Sequence, residues 1–99
     1  MAYQIRNYKV KMGMMNQLVK EWRTSIVPLR IKKGFKIIGA WSNEKENRFT
    51  WILGYEGSEG FEKADKAYYD SPERKSLKQD PRRLLTEVDT IIMTAVSPN

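Results

Sequence analysis

GFKIIGAWSNEKENRFTWILGYE, residues 34–56, decides the fold. Bulky side chains recur at every second position along Phe35-Lys36-Ile37-Ile38-Gly39-Ala40-Trp41 and again along Phe49-Thr50-Trp51-Ile52-Leu53-Gly54-Tyr55, the strand period rather than the helical one. Ser42-Asn43-Glu44-Lys45-Glu46-Asn47 between them is polar and turn-forming, as a hairpin connection requires. The stretch therefore predicts two paired strands.

Working outward, Ala2 to Val10 also alternates, with Tyr3 and Ile5 on one face and Gln4, Arg6 and Tyr8 on the other, which predicts a first strand. Gly13 breaks it. Met15, Leu18, Val19, Trp22, Ile26 and Leu29 then form one apolar stripe of a helix ending at Gly34, with a bend expected where Pro28 removes a donor and meets the carbonyl of Thr24. After the hairpin, Ser58 is the expected N-cap of a second helix whose buried stripe is Phe61, Ala64, Ala67 and Tyr68. Ser71-Pro72-Glu73 predicts a fresh helical start running toward Gln79, and Asp80-Pro81 a last short turn. Alternation from Glu87 to Val96 predicts a fourth strand.

The order β-α-β-β-α-β is the α+β, ferredoxin-like arrangement, a four-stranded antiparallel sheet with two helices on one face. The other face is not consistently polar: Ile38 and Ala40 oppose Ile37 and Trp41, Ile52 opposes Trp51 and Leu53, and Ile91 and Met93 oppose Ile92. An apolar, uncovered sheet face is expected to meet its copy, so a homodimer through the sheet faces follows.

At 99 residues the expectation is one domain spanning 1–99, with Ser97-Pro98-Asn99 a flexible tail. No stretch approaches the roughly 20 apolar residues of a membrane span, and Met1 to Val10 lacks a signal-type apolar core, which predicts a cytoplasmic protein. The absence of cysteine and histidine removes disulfides, thiolate chemistry, His-held metals and every Ser-His or Cys-His pairing; no metal and no cofactor is expected. The net charge of +6 is interleaved with acids along the chain, so nucleic acid is not the expected partner.

Tyr3-Gln4-Ile5-Arg6-Asn7-Tyr8, followed by Lys11-Met12-Gly13 and a helix, resembles the opening of the NIPSNAP domain family. Trp22, Pro28, Gly34-Phe35-Lys36, Gly39, Trp41, Asn47-Arg48, Tyr55-Glu56 and Ser71-Pro72-Glu73 continue the resemblance over nearly the whole chain. What it implies is the dimeric alpha-beta barrel fold and a loosely defined biochemical role. Two positions depart from the pattern: Gln4 stands where a glutamate is common and Trp51 where many relatives are expected to have a histidine. Both changes argue against acid-base chemistry.

Six residues form the candidate ligand site. Arg6 and Tyr8 share a strand face, where a guanidinium fork beside a phenol suits a carboxylate, enolate or quinone oxygen; the competing reading pairs Arg6 with Glu87 or Asp89 of the last strand. Trp22, Trp41, Trp51 and Tyr55 either line a pocket between helix and sheet or make ordinary core. The basic run Arg30-Lys32-Lys33-Lys36 reads as charge at a helix end.

Three functions compete. The first is a small dimeric binding domain holding a flat hydrophobic or quinone-like molecule. The second, from proteins of similar fold, is a cofactor-free mono-oxygenase or isomerase acting on an aromatic or polyketide-like substrate, with Arg6 on the substrate oxyanion. The third is RNA binding, which shares the topology, but Arg48-Phe49-Thr50-Trp51-Ile52-Leu53-Gly54-Tyr55 lacks the small residues that an RNA-reading third strand carries.

Overall fold

The computed structural model describes residues 1–99. β1 (Ala2–Val10), β2 (Lys36–Asn43), β3 (Arg48–Tyr55) and β4 (Leu85–Thr94) form one antiparallel sheet in the order β2-β3-β1-β4. The molecule measures 38 × 38 × 19 Å, the thickness of one sheet and one helical layer. The α+β, ferredoxin-like arrangement expected from the element order is therefore present, with the helices on one face. No helix is long and apolar enough to cross a membrane.

The two central strands set the core. Gln4, Arg6, Tyr8 and Val10 of β1 face the helices, and opposite them lie Leu53, Trp51 and Phe49 of β3, in the register Gln4↔Leu53, Arg6↔Trp51 and Tyr8↔Phe49. Leu53 is fully buried, a burial that stabilises by roughly 1.5–3 kcal/mol for a side chain of its type.

The hairpin contains one irregularity with large effects. Ile37 pairs with Leu53 and Gly39 with Ile52, so Ile38 is an extra, unpaired residue, a bulge. Strict alternation from Ile37 would bring Trp41 opposite Phe49 on the helix side; the extra residue puts it opposite Thr50 on the open face instead. There its ring lies over Gly39, where an added Cβ would come within 2.9 Å of it.

The first helical region is three pieces: α1 (Met15–Glu21), a π-helical turn (Trp22–Ile26) and α2 (Val27–Lys32). The bend expected at Pro28 is accommodated earlier. The amide of Val27 donates to the Trp22 carbonyl, five residues back, and this wide turn absorbs the donor missing from Pro28 and its steric conflict with Thr24. α2 closes at Gly34, whose φ of +95° is the left-handed conformation expected there.

α3 (Phe61–Asp70) starts after Gly60, at φ +87°, and not from the expected cap Ser58. Ser71 does cap α4 (Pro72–Lys75), its Oγ accepting from the Arg74 amide at 3.2 Å. The segment stops at Lys75 rather than running to Gln79; Pro81 holds Asp80 extended (ψ 119°), which excludes a helix reaching it. Asp80 then caps the 3-10 turn Pro81–Leu84, as expected from the dipeptide, accepting from the Arg82 amide at 2.9 Å.

The helical layer covers β4 at Leu85 and leaves it bare on both sides beyond, with Val88, Ile91 and Ile92 all exposed. On the open sheet face Ile38, Trp41 and Ile91 are more than half exposed, beside Tyr3, Ile5, Ile52 and Met93. The face is polar only at one end, around Asn7, Asn43, Arg48, Thr50, Glu87 and Asp89.

Candidate functional site

β1 carries the centre of the site because three successive inward residues between the apolar Ala2 and Val10 are polar: Gln4, Arg6 and Tyr8 are each at least nine-tenths buried. Arg6 uses its whole fork. Nε donates to Tyr8 Oη at 2.7 Å, Nη1 to Gln4 Oε1 at 2.9 Å and Nη2 to Tyr69 Oη at 2.8 Å. All three acceptors are neutral. Removing a guanidinium from water costs several kcal/mol, and none of its hydrogen bonds ends on a charged acceptor; the carboxylate that acts on it, Asp65, does so without a direct bond. Burial works against that charge, but the Tyr8 and Tyr69 oxygens outweigh it and hold its pKa above the ordinary value.

The competing partners proposed from sequence lie elsewhere. Glu87 and Asp89 pair in register with Lys9 and Asn7, on the open face of the sheet, while Arg6 points into the helical layer. Glu87 is 3.7 Å from Arg48. Arg6 is not half of a strand-to-strand salt bridge.

Around Arg6 the structure gathers residues the sequence did not single out. The Cζ atoms of Arg6, Arg30, Arg74 and Arg82 lie 5.2–5.9 Å from the ring centre of Tyr69. Arg30 is 1% exposed, lies 3.7 Å over the ring of Tyr68 and binds Asp65 at 2.6 Å. Arg74 and Arg82 share Asp80, at 3.1 and 2.8 Å. Four guanidiniums thus face two carboxylates. Burial works against the ionised form of Asp80, yet the hydrogen bonds from Arg82 and Arg74 prevail and hold its carboxyl far below the usual range. Burial pushes the Tyr68 phenol up, against the pull of Arg30 and Arg74.

A narrow cavity of about 20 Å3, room for about one water molecule, lies among Tyr8, Trp22, Ile26, Arg30, Trp51, Tyr68, Tyr69, Arg74, Pro81 and Arg82. Its lining holds an unusual set of buried polar atoms without hydrogen-bond partners: Trp22 Nε1, Trp51 Nε1, Arg30 Nε, Arg74 Nε and Tyr68 Oη. Four of the five are donors only. Buried polar groups are ordinarily satisfied, so a cluster of orphaned donors beside four guanidiniums that face two carboxylates marks a place suited to an acceptor-rich, negatively charged group.

Of the six residues proposed from sequence, the structure brings Arg6, Tyr8, Trp22 and Trp51 together and separates two. Trp41 is on the far side of the sheet, turned outward by the Ile38 bulge. Tyr55 packs on Phe35, 5.0 Å between ring centres, beside a surface groove lined by Lys33, Glu59 and Lys63. The two remaining tryptophans do not form a slot for a flat ring either. Their ring centres are 5.6 Å apart at 77°, an edge-to-face contact that fills the space a sandwiched ligand would need. Arg30 was legible in principle: it follows Trp22 and Ile26 at spacings of eight and four, on the buried stripe rather than at the charged helix end.

The NIPSNAP family profile matches residues 3–98, and the chain belongs to the NIPSNAP family. None of the curated proteins matches it. Among solved structures it is similar to a NIPSNAP family protein from Agrobacterium tumefaciens (12% identity, 98% of this chain and 94% of that one, TM-score 0.84). It is similar also to an uncharacterized NIPSNAP domain protein from Burkholderia xenovorans (12% identity, 100% and 98%, TM-score 0.83). A putative antibiotic biosynthesis monooxygenase from Nitrosomonas europaea shares the fold at 14% identity, covering 98% and 100%, with a TM-score of 0.71.

Proposed function

We propose that this NIPSNAP domain is a homodimeric binding protein whose cavity between sheet and helices takes a small ligand by a negatively charged oxygen group, and that the open sheet faces of two copies meet. The observation that carries the ligand reading is Arg6, a buried guanidinium whose three hydrogen bonds all end on neutral oxygens and which is joined through Tyr8 and Tyr69 to a cavity lined by orphaned donors. A ligand oxyanion supplies acceptors for those donors and a further negative charge among the four guanidiniums. Gln4 supports this: an amide at that position orients Arg6 without neutralising it, where a carboxylate would. The ring-sandwich part of the expectation has no support in the packed Trp22–Trp51 pair, so recognition falls on the oxygen end of a quinone-like or carboxylate ligand.

The dimer reading is supported by the apolar open face, where Ile38, Trp41 and Ile91 are each 51–56% exposed. A second copy covers that surface without any new chemistry.

A mono-oxygenase reading has one supporting observation: Arg6, flanked by the hydroxyls of Tyr8 and Tyr69, is suited to an enolate oxygen as well as to a bound carboxylate. Against proton abstraction, the nearby carboxylates Asp65 and Asp80 are both held by arginines. The experiment is a titration of tryptophan fluorescence with aromatic carboxylates and reduced quinones, on the native chain and on Arg6→Met, which keeps the volume and removes the charge. Binding to the native protein that falls at least tenfold in Arg6→Met supports the site; equal binding by both refutes it. Dioxygen uptake with the reduced quinones, sensitive to the same substitution, would establish the enzyme in place of the binding protein.

A further inference from the structure

We propose that Asp80 is a built-in stand-in for the ligand's carboxylate, and that the connection between α4 and β4 is the gate of the cavity: a carboxylate ligand enters by displacing Asp80 from Arg74 and Arg82. This rests on the ligand reading above. The cavity has room for little more than a water molecule, so anything larger must move a wall. Three walls belong to the sheet and the packed helices. The fourth is Pro81 and Arg82, from a connection that has no regular structure between Lys75 and Pro81.

That connection is anchored by the buried Pro81 and Leu84 and, before them, tied down by charge. Asp80 Oδ1 accepts from Arg74 Nη2 at 3.1 Å and from the Arg82 amide at 2.9 Å, and its Oδ2 accepts from Arg82 Nε and Nη2 at 3.0 and 2.8 Å. Its second tie is Arg83, which grips Glu21 with two bonds of 2.7 Å. Arg74 is buried while Asp80 is 39% exposed, so the anion lies on the solvent side and its cation inside, in the cavity wall. Arg74 Nε has no partner, and neither have the indole donors behind it. A planar carboxylate entering between Arg74 and Arg82 takes over the fork that Asp80 occupies and gains the reach to donors that Asp80, tethered by its own backbone, does not satisfy. The class selected is a small monocarboxylate; an uncharged amide of the same shape has nothing to offer in exchange.

Benzoate and benzamide are the probes, and Asp80→Asn the variant, since asparagine still caps the Pro81–Leu84 turn while losing the charge. Benzoate quenches the native protein's tryptophan fluorescence and benzamide does not. Asp80→Asn binds benzoate about tenfold more tightly, because the internal competitor is neutral, and Arg6→Met does not bind it. Independently of any variant, saturating benzoate speeds hydrogen exchange of the Arg82 amide in the native protein as its acceptor leaves. The gate is refuted if Asp80→Asn, folded by its melting curve, binds benzoate no better than the native chain while Arg6→Met still abolishes binding, or if the Arg82 amide becomes more protected with benzoate. Failure of benzoate to bind either protein refutes it too. Binding that ignores Arg6 instead refutes the site itself.

Discussion

Replacing Trp41 by lysine tests the open sheet face. Trp41 is 56% exposed in the single chain, and with roughly 230 Å2 on a tryptophan, about 130 Å2 is bare. At about 25 cal/mol per Å2 its burial against a second copy stabilises by about 3 kcal/mol, and a two-fold interface contains it twice. Ordering and imperfect packing take back part of this; with half surviving, about 3 kcal/mol remains, two orders of magnitude in the dimer dissociation constant. Burying the new ammonium adds to the loss. The chain itself is spared, because the ring rests on Gly39 outside the core between sheet and helices. Sedimentation equilibrium across the low micromolar range reads the outcome directly, with urea unfolding as the control for the fold. A native mass of two chains falling to one in Trp41→Lys is the expected result. A native protein of single-chain mass, or a variant that remains fully dimeric, refutes the reasoning.

Further expectations follow from the polar contacts. Glu73, facing Lys32 and Lys33, has its pKa pulled down to about 2, first by a hydrogen bond from its own backbone amide and then by the two lysines; Asp80 is depressed as well, its arginine bonds overcoming burial. Both folded values lie below the unfolded ones, so the stability they confer is present above about pH 4.5 and is lost as pH falls toward 2; a stability curve flat from pH 4.5 to 2 contradicts this. Ser71→Ala removes the α4 cap and the bond from its Oγ to the Tyr68 carbonyl at 2.7 Å, so urea unfolding is expected to show a loss of about 1–2 kcal/mol, along with weakened benzoate binding as Arg74 is freed; an unchanged midpoint contradicts it.

The element order was legible because each strand alternates and because serine, aspartate and glycine mark most of the turns. β1 in particular has its polar inward face, Gln4-Arg6-Tyr8, written in plain alternation. What escaped were features in which one residue changes the meaning of many. Nothing in Ile37-Ile38-Gly39 distinguishes a bulge from continued pairing, and the side on which Trp41 lies depends on it. The π turn at Trp22–Ile26 was likewise hidden, since proline announces a disturbance without saying which earlier turn absorbs it. The site was half visible. Arg6 and Tyr8 lie within one strand, but Arg30, Tyr69, Arg74 and Arg82 come from four other segments and converge only through packing around a single phenol. Arginine is read as a surface residue by default, and here stacking on Tyr68 with a bond to Asp65 makes it an interior one.

The bulge at Ile38 gives the molecule two vocabularies that do not interfere. Residues before it in β2 answer to the interior with one parity, residues after it with the other, so deletion of Ile38 would send Trp41 toward Phe49 and bring Ala40 to the outside in one step. Point changes on the exterior of β2 therefore alter the open face while the chamber behind it is left alone, whereas a change in length at this one position would rewrite both at once.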